Sequence, residues 1–166
     1  MAEALDQARA GRDAAGTALV AETRAVVAAA GAMSARFRSG GRLLAFGRNG
    51  GAADAAHVAV EFTHPVIVGK RALPALSLGE DPSTLPILGR PRDIVLGIRP
   101  APDDLAVARE HGMLTVALTM GRRRPEADHV LPALSEDPLI AREIHVTMYH
   151  LLWELVHLFL EGETEA

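Results

Sequence analysis

His57 and Glu61 stand four apart in the run AADAAHVAVEF. On a helix that spacing sets them about 40° apart, on one face. An imidazole and a carboxylate so placed suit shared ligation of a metal, or a carboxylate base beside an acid–base imidazole. An isolated i,i+4 polar pair on a helix surface has the same spacing. Towards the other end of the chain, Arg142, Glu143, His145 and His150 form a second cluster. His145 and His150 are five apart, about 140° around a helix, so they cannot both face one site. His150 lies in the apolar stretch Met148 to Leu152, where desolvation keeps an imidazole neutral, as a ligand or a general acid–base group requires. His64, His111, His129 and His157 have no informative partners in the sequence. A third candidate is the turn Gly47-Arg48-Asn49-Gly50-Gly51. It follows an apolar run and precedes the His57 helix, so its backbone N–H groups and the helix amino terminus can receive an anion. It is neither a G-x-G-x-x-G fingerprint nor a Walker loop, so no nucleotide cofactor is expected.

The elements that hold these groups read as alternating helices and strands. Glu3 to Arg38 is Ala-rich with apolar residues at helical spacing, and Gly11 or Gly16 is expected to bend or break it before Ser39-Gly40-Gly41 ends it. Leu43 to Phe46 reads as a strand buried on both faces, and Ala52 to Phe62 as a helix. Leu73 to Leu78 is a weaker strand because of Pro74, and Gly79 to Arg92, with three prolines, is mostly loop. Asp93 to Ile98 and Met113 to Leu118 are strands around a short helix from Asp103 to His111. A last strand lies near His129 to Leu131, and a helix runs from about Pro138 to Leu160. This alternation predicts one α/β domain, a three-layer αβα sandwich on a parallel sheet of five strands. Its parts are a helical segment at residues 1–39, a sheet core at 42–135 and a closing helix at 138–161. That last helix is apolar nearly all round, from Ile140 to Leu160, which calls for cover on two sides. Its own sheet supplies one cover and a partner subunit the other, giving a homo-oligomer, dimer or tetramer.

The 166 residues suffice for one domain with a sizeable core. A net charge of -4 argues against a direct nucleic-acid surface. With no cysteine, disulfides, thiol nucleophiles and Cys-ligated zinc are excluded, and Lys70 is the one lysine available for a Schiff base. The start, MAEALDQARAGRD, lacks the pattern of a secretory signal, and the apolar stretch Met148 to Leu160 is too short and polar to span a bilayer. The expected setting is the cytoplasm, with no membrane partner.

The run LLAFGRNGGAADAAHVAVEFT, followed from Arg142 by REIHVTMYHLLWELVHLF, resembles the sugar isomerase (SIS) domain family. Within it the similarity points to the phosphoheptose isomerases, which interconvert sedoheptulose 7-phosphate and a heptose phosphate. It covers nearly the whole chain, and the A-H-x-A-x-E-F-T and E-I-H-x-x-x-x-H segments carry it. The resemblance implies an SIS fold and a site in which His57, Glu61 and His150 surround the reacting carbons and, in some members, a zinc ion. Glu61 would be the base and His150 the acid–base partner. The family's fourth site group, a glutamine, is Arg142 here, and a guanidinium cannot ligate a metal. Arg142 is then either a substrate contact or a partner that disables Glu61.

The phosphate-binding turns depart further. Arg48, Asn49, Gly50 and Gly51 occupy a turn that lacks the family's serine, and Pro65 replaces a substrate-binding arginine. The family's Ser/Thr-rich turn is here Arg99-Pro100-Ala101-Pro102-Asp103-Asp104, whose prolines remove donors and whose carboxylates repel phosphate. Arg99 and Arg48 would restore positive charge. Two readings follow: an aldose–ketose isomerase on a sugar or sugar phosphate, or an inactive SIS scaffold that binds a protein partner or assembles. The retained trio favours the first. The rewritten turns favour the second, or a member that takes no phosphate, and the balance leans slightly that way.

Overall fold

The computed structural model describes residues 1–162. Five parallel strands, β1 (Leu43–Gly47), β2 (Ala75–Ser77), β3 (Ile94–Ile98), β4 (Leu114–Met120) and β5 (His129–Ala133), form one sheet in the order β2-β1-β3-β4-β5. β1 and β3 are buried throughout because helices cover both faces. Their side chains alternate between two cores. Leu43, Ala45, Ile94 and Leu96 face the larger core, while Leu44, Phe46 and Val95 face a smaller one with Leu105, Ala108 and Met113. The larger core is covered by α1 (Ala2–Leu19), α2 (Thr23–Arg38), α3 (Ala52–Thr63) and α6 (Pro138–Gly162); α4 (Leu85–Leu88) and α5 (Ala106–Glu110) lie on the other face.

The chain leaves β1 for β2 on one side and returns to β3 on the other, pairing Leu43 with Ile94 through Gly47 with Ile98. That reversal opens a crevice beyond the carboxyl ends of β1 and β3, the place where ligands of open α/β sheets bind. The opposite end is locked by Asp93. Its fully buried carboxylate accepts the backbone N–H of Arg42 and Arg90 and pairs with the Arg42 guanidinium at 2.6 Å.

Three expectations change. The first helical segment breaks at a 3-10 turn, Val20–Glu22, and not at either glycine. Gly11 stays helical because α1 packs there on α6: an added Cβ would lie 3.0 Å from Ile140 Cδ1. The stretch from Gly79 to Arg92 is not all loop, since Pro82–Thr84 and α4 each start a helical turn with proline near its first position. The second cover of α6 comes from within the chain, where α2 lays Val26, Ala30, Met33 and Phe37 into the core that Met148, Leu152 and Val156 share. By length and composition alone the Ala2–Arg38 segment could cross a membrane, but these α2 residues are core.

Candidate functional site

α3 and α6 meet side by side and bring His57, Glu61 and His150 together. Their ligand atoms all lie within 4.8 Å of one another. His57 Nε2 is 3.1 Å from Glu61 Oε1, and the His57 and His150 rings are 5.3 Å apart, edge to face. Two groups of α6 fix this arrangement. Trp153 Nε1 donates to the Glu61 carbonyl at 2.8 Å, tying the helices together, and the Tyr149 hydroxyl lies 2.9 Å from His57 Nδ1. Burial raises the Tyr149 pKa to about 12, so the phenol stays neutral and its hydrogen bond orients the His57 ring. Glu61 is mostly buried, whereas His57 opens to solvent. Two imidazoles and one carboxylate with an open side are the type and number of donors that a catalytic zinc uses, so the residues fit that ion.

Arg142 does not reach for Glu61. It pairs with Asp54, a buried carboxylate in the first turn of α3, through Nε and Nη2 at 3.0 Å. The pairing holds Arg142 more firmly protonated. The expectation that Arg142 could disable Glu61 is therefore overturned, because a nearer carboxylate satisfies it. Asp54 is missed in sequence, where an acidic residue in a first helical turn reads as a complement to the helix dipole. His145 points away from the trio. It is fully buried, with Nε2 3.0 Å from the Thr119 carbonyl and Nδ1 unpartnered. Burial lowers its pKa, so it is neutral and donates from Nε2. His157 is likewise structural, lying between the carbonyls of Trp153 and Arg71.

The turn after β1 runs through left-handed Asn49 and Gly50, with φ of 52° and 78°. Several of its backbone donors are already used. Glu80 accepts the Gly50 N–H at 2.7 Å, and Gly51 N–H donates to the Arg48 carbonyl. Arg48 forms a two-point pair with Asp104 at 2.9 and 2.6 Å, and Asp104 also accepts the Ala101 N–H. Arg48 holds the Asp104 carboxyl below its ordinary range. Asp104, expected to repel an anion, is thus internally neutralised, and it engages the arginine expected to attract one. Arg99, left-handed at φ 54°, lines a cleft with Asn49, Thr119 and Arg123. Arg123, from the turn after β4, is a further residue that sequence reasoning missed. Its one outward signal is the run Arg122-Arg123-Arg124.

No family model matches the chain. A phosphoheptose isomerase of Roseiflexus sp. (strain RS-1) is 34% identical over 163 residues, covering 81% of this chain and 83% of that protein. One from Desulfovibrio desulfuricans is 38% identical over 148 residues, 73% of this chain and 70% of that protein. Among solved structures, phosphoheptose isomerase GmhA from Neisseria gonorrhoeae superposes with a TM-score of 0.80 at 23% identity, covering 93% of this chain and 97% of that one. That likeness carries the fold: five parallel strands flanked by helices, as in SIS isomerases. With relatives this similar over most of their length, the chain belongs to the phosphoheptose isomerase family.

Proposed function

We propose that the protein is an aldose–ketose isomerase acting on a sugar phosphate. The observation that carries this reading is the convergence of His57, Glu61 and His150 between α3 and α6. Glu61 takes a proton from the carbon beside the carbonyl, leaving an enediolate, and returns it to the neighbouring carbon. His150, whose ring stands edge to face with those of His57 and Tyr149, moves a proton between the two oxygens. Tyr149 orients His57, which in turn holds one Glu61 oxygen and leaves the other for the substrate. His57, Glu61 and His150 would also hold a zinc ion, which when bound polarises the sugar carbonyl.

The intact trio supports an isomerase over an inactive scaffold, since Arg142 is occupied by Asp54 and does not engage Glu61. Assembly into a cytoplasmic homo-oligomer fits the nearly uncovered α1, which buries only Ala15, and the exposed Val20, Leu139 and Leu158. A coupled assay with sedoheptulose 7-phosphate tests the activity. Turnover by the wild type that falls at least about 100-fold in Glu61→Gln is expected. Undiminished turnover in that variant, or none in the wild type, contradicts the proposal.

A further inference from the structure

Tyr149 is buried, and the one hydrogen bond its hydroxyl makes among the described residues is to His57 Nδ1 at 2.9 Å. On the far side of the same ring, Nε2 lies 3.1 Å from Glu61 Oε1. Phenol, imidazole and carboxylate thus form one hydrogen-bonded chain that crosses from α6 to α3. The carboxylate end sets its polarity. Glu61 acts as a base only while ionised, and an ionised carboxylate accepts but never donates. The bond to Glu61 therefore needs a proton on Nε2. In a neutral ring Nδ1 is then the acceptor, and the phenol donates to it. A cation shared by His57 and Glu61 reverses this order. Nε2 is the ring nitrogen that faces Glu61, so it is the one able to share an ion with that carboxylate. A ligating nitrogen carries no proton, which leaves the proton of the neutral ring on Nδ1. There it meets the Tyr149 oxygen, which must now accept. A hydroxyl can serve both ways, because it holds one proton and two lone pairs.

We infer that Tyr149 is a positioning residue that lets His57 pass between two bonded states. In the empty site Nε2–H bonds Glu61 and the phenol donates to Nδ1; with Nε2 on zinc, Nδ1–H bonds the phenol oxygen. One proton leaves Nε2 and one arrives at Nδ1, while the phenol keeps its own and turns from donor to acceptor. His57 is neutral in both states, so filling the site costs the ring no net proton. The group that orients the second nitrogen of a ligating histidine governs how tightly the metal is held. Trp153 ties the same two helices but meets only the backbone carbonyl of Glu61, so it takes no part in this exchange. The inference rests on the zinc-holding role proposed above for the trio, and it adds the residue that adapts His57 to that role.

Nitrogen-15 NMR of the histidine rings at about pH 8, where an imidazole is neutral, tests the exchange when run with and without zinc. His57 should carry its proton on Nε2 in the zinc-free wild type and on Nδ1 once zinc is added; His57→Gln assigns the signals. Zinc affinity, read by competition with a chelating dye, supplies the second arm. Tyr149→Phe keeps the ring and should bind zinc at least about tenfold more weakly, with an unchanged circular dichroism spectrum. The wild-type spectra decide the matter even if that variant folds poorly. A proton already on Nδ1 without zinc would overturn the inference, as would a folded Tyr149→Phe that binds zinc like the wild type. Turnover of sedoheptulose 7-phosphate by a wild type that binds no zinc would overturn this inference alone. Zinc binding that depends on Tyr149 in a protein that turns over no sugar would uphold it and sink the isomerase reading alone.

Discussion

α3 holds His57 and Glu61 in place through partners on α6 that the sequence separates widely. Tyr149 and His57 are 92 residues apart, yet the phenol sets the imidazole. Tyr149→Phe keeps the ring and removes this bond, and a loss of about 1 kcal/mol in urea unfolding is expected. His145 carries a pH dependence of its own. Burial lowers its pKa in the folded state, so below about pH 6.5 the unfolded chain binds the proton first. Stability therefore falls as pH drops through that window, down to the folded value. Urea midpoints measured from pH 7.5 to pH 5 should show the decline, and His145→Gln should flatten it; an unchanged slope contradicts the assignment. The i,i+4 pair His57 and Glu61 was legible in sequence, whereas His150, expected among apolar side chains, is half-buried against His57 and Tyr149. Asp54, Tyr149 and Arg123 were not legible, because each gains its meaning only from a neighbour on another element.

The strands were legible wherever an apolar run stands between turns, as in Leu43–Gly47 and Ile94–Ile98, since burial on both faces leaves no polar alternation to mislead. Their order was not, and the order creates the crevice. It places the turn after β3 beside that after β4, so Arg99 and Arg123 share one cleft. The break in the first helix escaped notice because glycine weakens a helix without ending it, and Gly11 is held by close packing on Ile140. Asp93 sets the register at the far end of β1 and β3. Asp93→Ala would leave the Arg42 charge and two backbone donors unpaired, and a loss of about 3–5 kcal/mol is expected by urea denaturation. A loss below about 1 kcal/mol, the scale of a single neutral hydrogen bond, would show that the lock is dispensable.

For the whole molecule, the cover of α6 by α2 accounts for its apolar circumference within one chain, so the expectation of an oligomer now rests on a different surface. α1 and the groove lined by Leu19, Val20, Val27, Leu151 and Leu155 remain open to solvent. Light scattering on the purified protein should give a dimer or tetramer, and a monomer at all concentrations would remove this part of the account. Elemental analysis should find zinc in the wild type and less of it in His150→Ala, if the trio holds the ion as its donors suggest. The central claim is that Glu61 moves a carbon-bound proton. Incubation with sedoheptulose 7-phosphate in deuterated water, followed by proton NMR, reads that step directly. Loss of the signal at the carbon beside the carbonyl is expected with wild type and not with Glu61→Gln. Exchange at an equal rate in both proteins would contradict the account.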